Sequence, residues 1–109
     1  MKLNVFERLL LRNIIPQIQG WNYAHMKEAR ELVEGLFTEQ EEKDLDFQQD
    51  GPNVRWRTLA EDGAPITQER EINISDGLKA KIGKFMAQLD KEEKLKFDQM
   101  SLYEKFSGK

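Results

Sequence analysis

A single histidine, His25, and the complete absence of cysteine set the first limits on the chemistry open to this 109-residue chain. Without thiolates, a metal site would have to be built from His25 and carboxylates. No second histidine stands at the spacing that such sites use. His25 lies beside the apolar positions Met26 and Ala29, which reads as a surface or half-buried structural histidine rather than a ligand. Carboxylates are plentiful. Asp44 and Asp46 share one face of an extended segment, but Glu41 and Glu42 stand next to them, and the group reads as solvated charge. A carboxylate working in acid–base catalysis needs burial or a coupled partner to move its pKa, and nothing in the pattern builds that pocket. Gly-x-Ser-x-Gly, Walker-type and Gly-x-Gly-x-x-Gly sequences are all missing. The reading is therefore non-enzymatic, with no cofactor and no metal.

The cations offer a different chemistry. Arg55-Trp56-Arg57, Arg70 and the lysines between Lys79 and Lys96 could meet nucleic acid. Two helices, a short third helix and a hairpin follow the order of a winged helix, with Arg55 and Arg57 in the wing. The recognition position would then hold Thr38–Asp44, and its three glutamates would face phosphates that demand cations. Strand alternation gives a simpler reading, in which Trp56 packs inward while Arg55 and Arg57 face solvent. Arg55, Arg57 and Arg70 remain the candidate contacts to nucleic acid or to a protein partner. Nucleic acid is the second choice.

The elements that must position these residues follow from local patterns. Leu78, Ile82, Phe85, Met86 and Leu89 recur at helical spacing in the stretch Ile72–Phe106 and form the strongest apolar stripe. Asn4 and Glu7 form a capping box for a first helix near 5–13, which Pro16 stops. That helix is apolar on more than half its circumference, so it is either central or part of a dimer contact. Asn22 caps a second helix near 22–36, and Thr38 with Glu41 begins a short acidic turn. Period-two alternation then predicts strands around Leu45–Gln48, Val54–Arg57 and Glu71–Ile74, with a turn at Asp50-Gly51-Pro52-Asn53. Ser75 caps the long helix. Phe97 and Leu102 are spaced as a hydrophobic staple around Asp98, opening a short C-terminal helix.

Charge is segregated along the chain. Lys43 is the only cation among the eight acids of residues 31–50, whereas residues 79–96 hold six lysines against Asp90, Glu92 and Glu93. Two solvated faces account for this, and so does a surface that steers a partner or a second copy. The first apolar run, Leu9–Leu11, is far short of the about 18 residues that span a bilayer. With no cysteine and no membrane segment, the expectation is a cytoplasmic protein.

The opening MKLNVFERLLLRNIIP, the middle LFTEQEEKDLDF and the closing MSLYEKF resemble small uncharacterised proteins encoded by phages and prophages. The resemblance implies a bacterial cytoplasmic setting and an accessory role, and it brings no site residues with it. The expected architecture is one α+β domain over residues 1–109, ordered α-α-(short α)-β-β-β-α-α. Its helices would pack on one face of a small three-stranded antiparallel sheet. The expected function is protein–protein interaction or regulation, by an unknown partner or self-association, with winged-helix-like nucleic-acid binding as the alternative.

Overall fold

A computed structural model describes residues 1–108 of the chain. A short strand, β1 (Lys2–Asn4), runs directly into helix α1 (Val5–Ile14). Local chemistry starts that helix: the Asn4 side chain accepts the Glu7 N–H at 2.7 Å, and the Glu7 carboxylate accepts the Asn4 N–H at 3.0 Å. Two otherwise orphaned donors are satisfied by this reciprocal pair. Pro16 then turns α1 into a single 3-10 turn, Ile15–Gln17. Helix α2 (Tyr23–Gly35) is capped by Asn22, and α3 (Glu39–Leu45) opens on a second complete capping box, Thr38 with Glu41.

The strands depart from expectation. Strands β2 (Gln48–Asp50) and β3 (Asn53–Arg55) form an isolated antiparallel hairpin. Gly51 supplies its left-handed corner at φ 61°, and the Pro52 ring fixes the next. Strand β4 (Glu69–Glu71) does not join this hairpin. It pairs antiparallel with β1, Leu3 opposite Arg70, and the Ile72 N–H extends the pairing to the Met1 carbonyl at 2.8 Å. Among the described residues there are thus two two-stranded sheets instead of one sheet of three. The physical reason is that Thr58–Ile66 folds back on itself, with a Leu59–Pro65 bridge and an Ile66 N–H to Thr58 carbonyl bond of 2.9 Å. This leaves Glu69–Glu71 aligned with the N-terminus.

Helix α4 (Asp76–Lys91) is started by Ser75, whose hydroxyl accepts the Leu78 N–H at 3.3 Å. After Glu93, at φ 59°, a 3-10 turn (Phe97–Gln99) leads into α5 (Met100–Ser107). The Phe97–Leu102 staple does not form: Phe97 is 91% exposed, while Leu102 is fully buried. Gln99 does the work instead, its side-chain oxygen accepting the Lys96 N–H at 3.0 Å.

The fold is α+β, built round one core. Leu3, Leu11, Leu36, Leu45, Ile82, Met86 and Leu102 have no exposed surface. The α4 stripe is centred on Leu78, Ile82 and Met86, with Phe85 and Leu89 half-buried at its edge. Phe6 on α1 is 39% exposed and stacks against the half-buried Trp56. No helix among the described residues is long and apolar enough to cross a membrane.

Candidate interaction surface

Two charged residues lie inside the core, side by side on α1. Glu7 is 1% exposed and Arg8 0%. A buried charge survives only when paired and hydrogen-bonded on most sides, and both are. Arg8 donates to Glu41 at 2.7 Å, to the Leu36 carbonyl at 2.9 Å and to the Gln68 carbonyl at 3.1 Å, with its guanidinium 4.6 Å from the Phe37 ring centre. Arg70 completes the cluster. It donates to the Gly35 and Leu36 carbonyls at 2.8 and 2.7 Å, while its Nε stands 2.9 Å from Glu41, misaligned for a hydrogen bond. Three segments are locked together here: the end of α2, the start of α3 and the approach to β4. The acid between the two arginines is Glu41. Burial pushes its pKa up, but the Arg8 hydrogen bond, the Thr38 N–H and the two positive charges outweigh that and hold it below the usual carboxylate value.

Glu7, the neighbour of Arg8 in the first turn of α1, performs the same service toward α5. Lys105 donates to it at 2.7 Å and Ser101 at 3.0 Å, so α5 is tied to the chain's first helix. Its pKa is raised by burial and lowered more strongly by the Asn4 N–H, Lys105 and Ser101, for a net downward shift.

The sequence-derived candidates are spread over different parts of this frame. Arg55 sits on the hairpin with its side chain 75% exposed, paired with Asp50 at 2.6 Å. Arg57 is half-buried; its N–H bonds the Leu45 carbonyl at 2.7 Å, and its side chain lines a cleft with Lys43, Asp44, Glu61 and Asp62. Arg70 turns toward Glu41 and the carbonyls of α2. Trp56 stacks on Phe6 at a ring-centre distance of 6.4 Å, lies tilted by 59° against Phe47 at 6.5 Å, and donates to Gln68 at 3.0 Å. Arg57 and Arg70 line neighbouring clefts that share Asp44, Ala60 and Ile66, whereas Arg55 lines neither. His25 is half-buried on α2, near Gly77. Among the described residues no group of three or more histidines and acids is placed to hold a metal ion.

The most apolar concavity lies elsewhere, between the 3-10 turn after α1 and the outer flank of α2. Ile15, Pro16, Ile18, Trp21, Met26, Ala29, Arg30 and Val33 line a groove of about 350 Å³. Ile15, Ile18 and Ala29 form its buried floor, whereas Met26 is 52% exposed and Tyr23, one turn earlier, 79%. Lys81 fixes the far wall: it donates to the Gly20 carbonyl at 2.7 Å and lies 5.1 Å from the Trp21 ring centre. In sequence, residues 16–20 carry neither the helical nor the strand period that marks a covered face. The available signal was Ile18 and Trp21, two large apolar residues in a stretch too short to form an element that would cover them.

The chain matches no known protein family, no curated protein and no solved structure.

Proposed function

We propose that this is a non-enzymatic accessory protein that acts by binding another protein, in keeping with the phage-type setting implied by its opening, middle and closing segments. The observation that carries this reading is the groove beside α2, where exposed Met26 and half-buried Trp21 stand over an apolar floor, with exposed Tyr23 one turn before Met26. Exposed apolar side chains clustered over a concave floor are the composition of a protein-docking patch. Arg30 on its rim forms no ion pair with any described residue. The complementary partner is an apolar helix that carries an acid opposite Arg30.

The nucleic-acid alternative rests on Arg55 and Arg57, and Arg55 is already occupied by Asp50. A tagged pull-down from bacterial lysate, run with and without nuclease, separates the two. Protein binding predicts a captured protein that survives nuclease and is lost in Met26→Asp. Nucleic-acid binding predicts material lost to nuclease, and an affinity whose steep salt dependence flattens in Arg55→Ala/Arg57→Ala. The second pattern would overturn the proposal.

A further inference from the structure

We propose that Asp50-Gly51, at the tip of the isolated hairpin, is a site of spontaneous covalent modification: Asp50 isomerises to isoaspartate and opens the hairpin without unfolding the core. The Gly51 nitrogen attacks the carboxyl carbon of the Asp50 side chain. A C–N bond forms, the amide proton and the carboxyl hydroxyl leave as water, and a five-membered succinimide results. Water from solvent then adds back and breaks one of the two C–N bonds of the ring. Where it breaks the original peptide bond, the chain runs on through the Asp50 side chain. No atoms or electrons are gained or lost over the two steps, and solvent is the only co-reactant.

Ring closure needs a successor with no side chain in the way, a nitrogen that is not already engaged and a backbone free to rotate. The asparagines are followed by Val5, Ile14, Tyr23, Val54 and Ile74, whose bulk obstructs the equivalent reaction. Three aspartates precede glycine: Asp50, Asp62 and Asp76. Asp76 and Gly77 belong to the first turn of α4, whose fixed dihedrals deny the ring its geometry, and Gly77 is backed by His25. In Asp62-Gly63 both reacting groups are engaged. The Gly63 N–H donates to the Ala60 carbonyl at 2.9 Å, and the Asp62 carboxylate accepts the Ala64 N–H at 3.0 Å.

Asp50-Gly51 is different on each count. No described residue accepts the Gly51 N–H. The space that a side chain at Gly51 would fill is open, and both residues are exposed. Arg55 holds the Asp50 carboxylate at 2.6 Å, but the two side chains are 75% and 60% exposed, and pairs in open solvent constrain little. An isolated two-stranded hairpin is marginal in water, so its turn samples the conformations that the ring requires. The isomer lengthens the backbone by one carbon and leaves the α-carboxylate as the side group. The pairing of Asp50 with Asn53 and the ion pair with Arg55 are then lost together. None of residues 48–53 is buried, so the core stays closed.

The test is incubation of the full chain at neutral pH and body temperature, followed by methyl transfer from S-adenosylmethionine with an isoaspartyl carboxyl methyltransferase, which labels isoaspartate. Peptide mapping locates the label, since Asp50, Asp62 and Asp76 fall on separate tryptic peptides. Wild type should gain label with time at Asp50, with Asp62 and Asp76 unchanged. Asp50→Glu, which would need a six-membered ring, should lose the signal while keeping a carboxylate for Arg55. Asp50→Asn, whose amide closes the same ring with loss of ammonia, should convert faster than wild type. The incubated chain should be cut by trypsin after Arg55 more readily than the fresh one, because an opened hairpin exposes its backbone, and its urea midpoint should not move. Label falling equally on Asp62, or an Asp50→Asn chain that stays intact, would overturn the assignment. Unchanged cutting after Arg55, or a midpoint that falls as label accumulates, would overturn the opening of the hairpin over a closed core.

Discussion

Arg8 carries a charge at a position with no solvent contact, so its worth is measured by what its loss would strand. Arg8→Met keeps the apolar stem but leaves Glu41 and the Gln68 carbonyl without their main donor. We expect a loss of about 3–5 kcal/mol in unfolding free energy, as for other buried pairs deprived of one member, read from the urea midpoint at constant slope. Arg70 is about a third exposed at its side chain, and the Leu36 carbonyl would keep Arg8. Arg70→Met should therefore cost less, about 1–3 kcal/mol. Glu7 and Glu41 also make stability depend on pH. Both have folded-state pKa values below the ordinary carboxylate value, so the unfolded chain binds protons first as pH falls. Their contribution is complete above the unfolded carboxylate value and is lost as pH drops through the folded ones. Unfolding free energy should be level from neutrality to about pH 5 and decline below it. Glu7→Gln should make that decline shallower; an acid limb with unchanged slope would show that Glu7 does not drive it.

At the scale of elements, the C-terminal helix separates two apolar residues that look alike in sequence. Leu102 is fully buried between α5 and the core, whereas Phe97 projects into solvent. Leu102→Ala should cost about 2–5 kcal/mol, and Phe97→Ser should stay within about 0.5 kcal/mol of wild type. Equal costs in thermal or urea melts would mean that the staple forms after all. The same contrast explains what could be read without a structure. Helix starts were readable because Asn4 with Glu7, Asn22, Thr38 with Glu41, and Ser75 act on N–H groups three residues away. Strand pairing was not, because Lys2–Asn4 finds its partner at Glu69–Glu71, and three residues are too few to display alternation. Arg8 counts as polar in any periodicity. Only its partners Leu36, Glu41 and Gln68, brought together by the fold, show that it is interior. The α2 groove was hidden likewise, since one wall is an irregular stretch whose residues Ile18 and Trp21 have no period.

At the scale of the molecule, one core draws residues from both sheets and from α1, α2, α4 and α5. No layer can be removed without uncovering another. Unfolding should be a single cooperative transition, with near- and far-ultraviolet circular dichroism coincident in urea; separated transitions would reveal a subdivision absent from the packing. The bond between Glu7 and Lys105 spans 98 residues, and this has a consequence for how the protein is made. A ribosome adding roughly 5–20 residues per second needs on the order of ten seconds to travel from one to the other. Throughout that interval the nascent α1 has neither the ammonium that neutralises its buried acid nor the Ser101 hydroxyl that also bonds it. Helix α5 closes a fold whose other elements are all translated before it, so an mRNA truncated before the codon for Leu102 should yield a chain handed to proteases or chaperones rather than a smaller working protein.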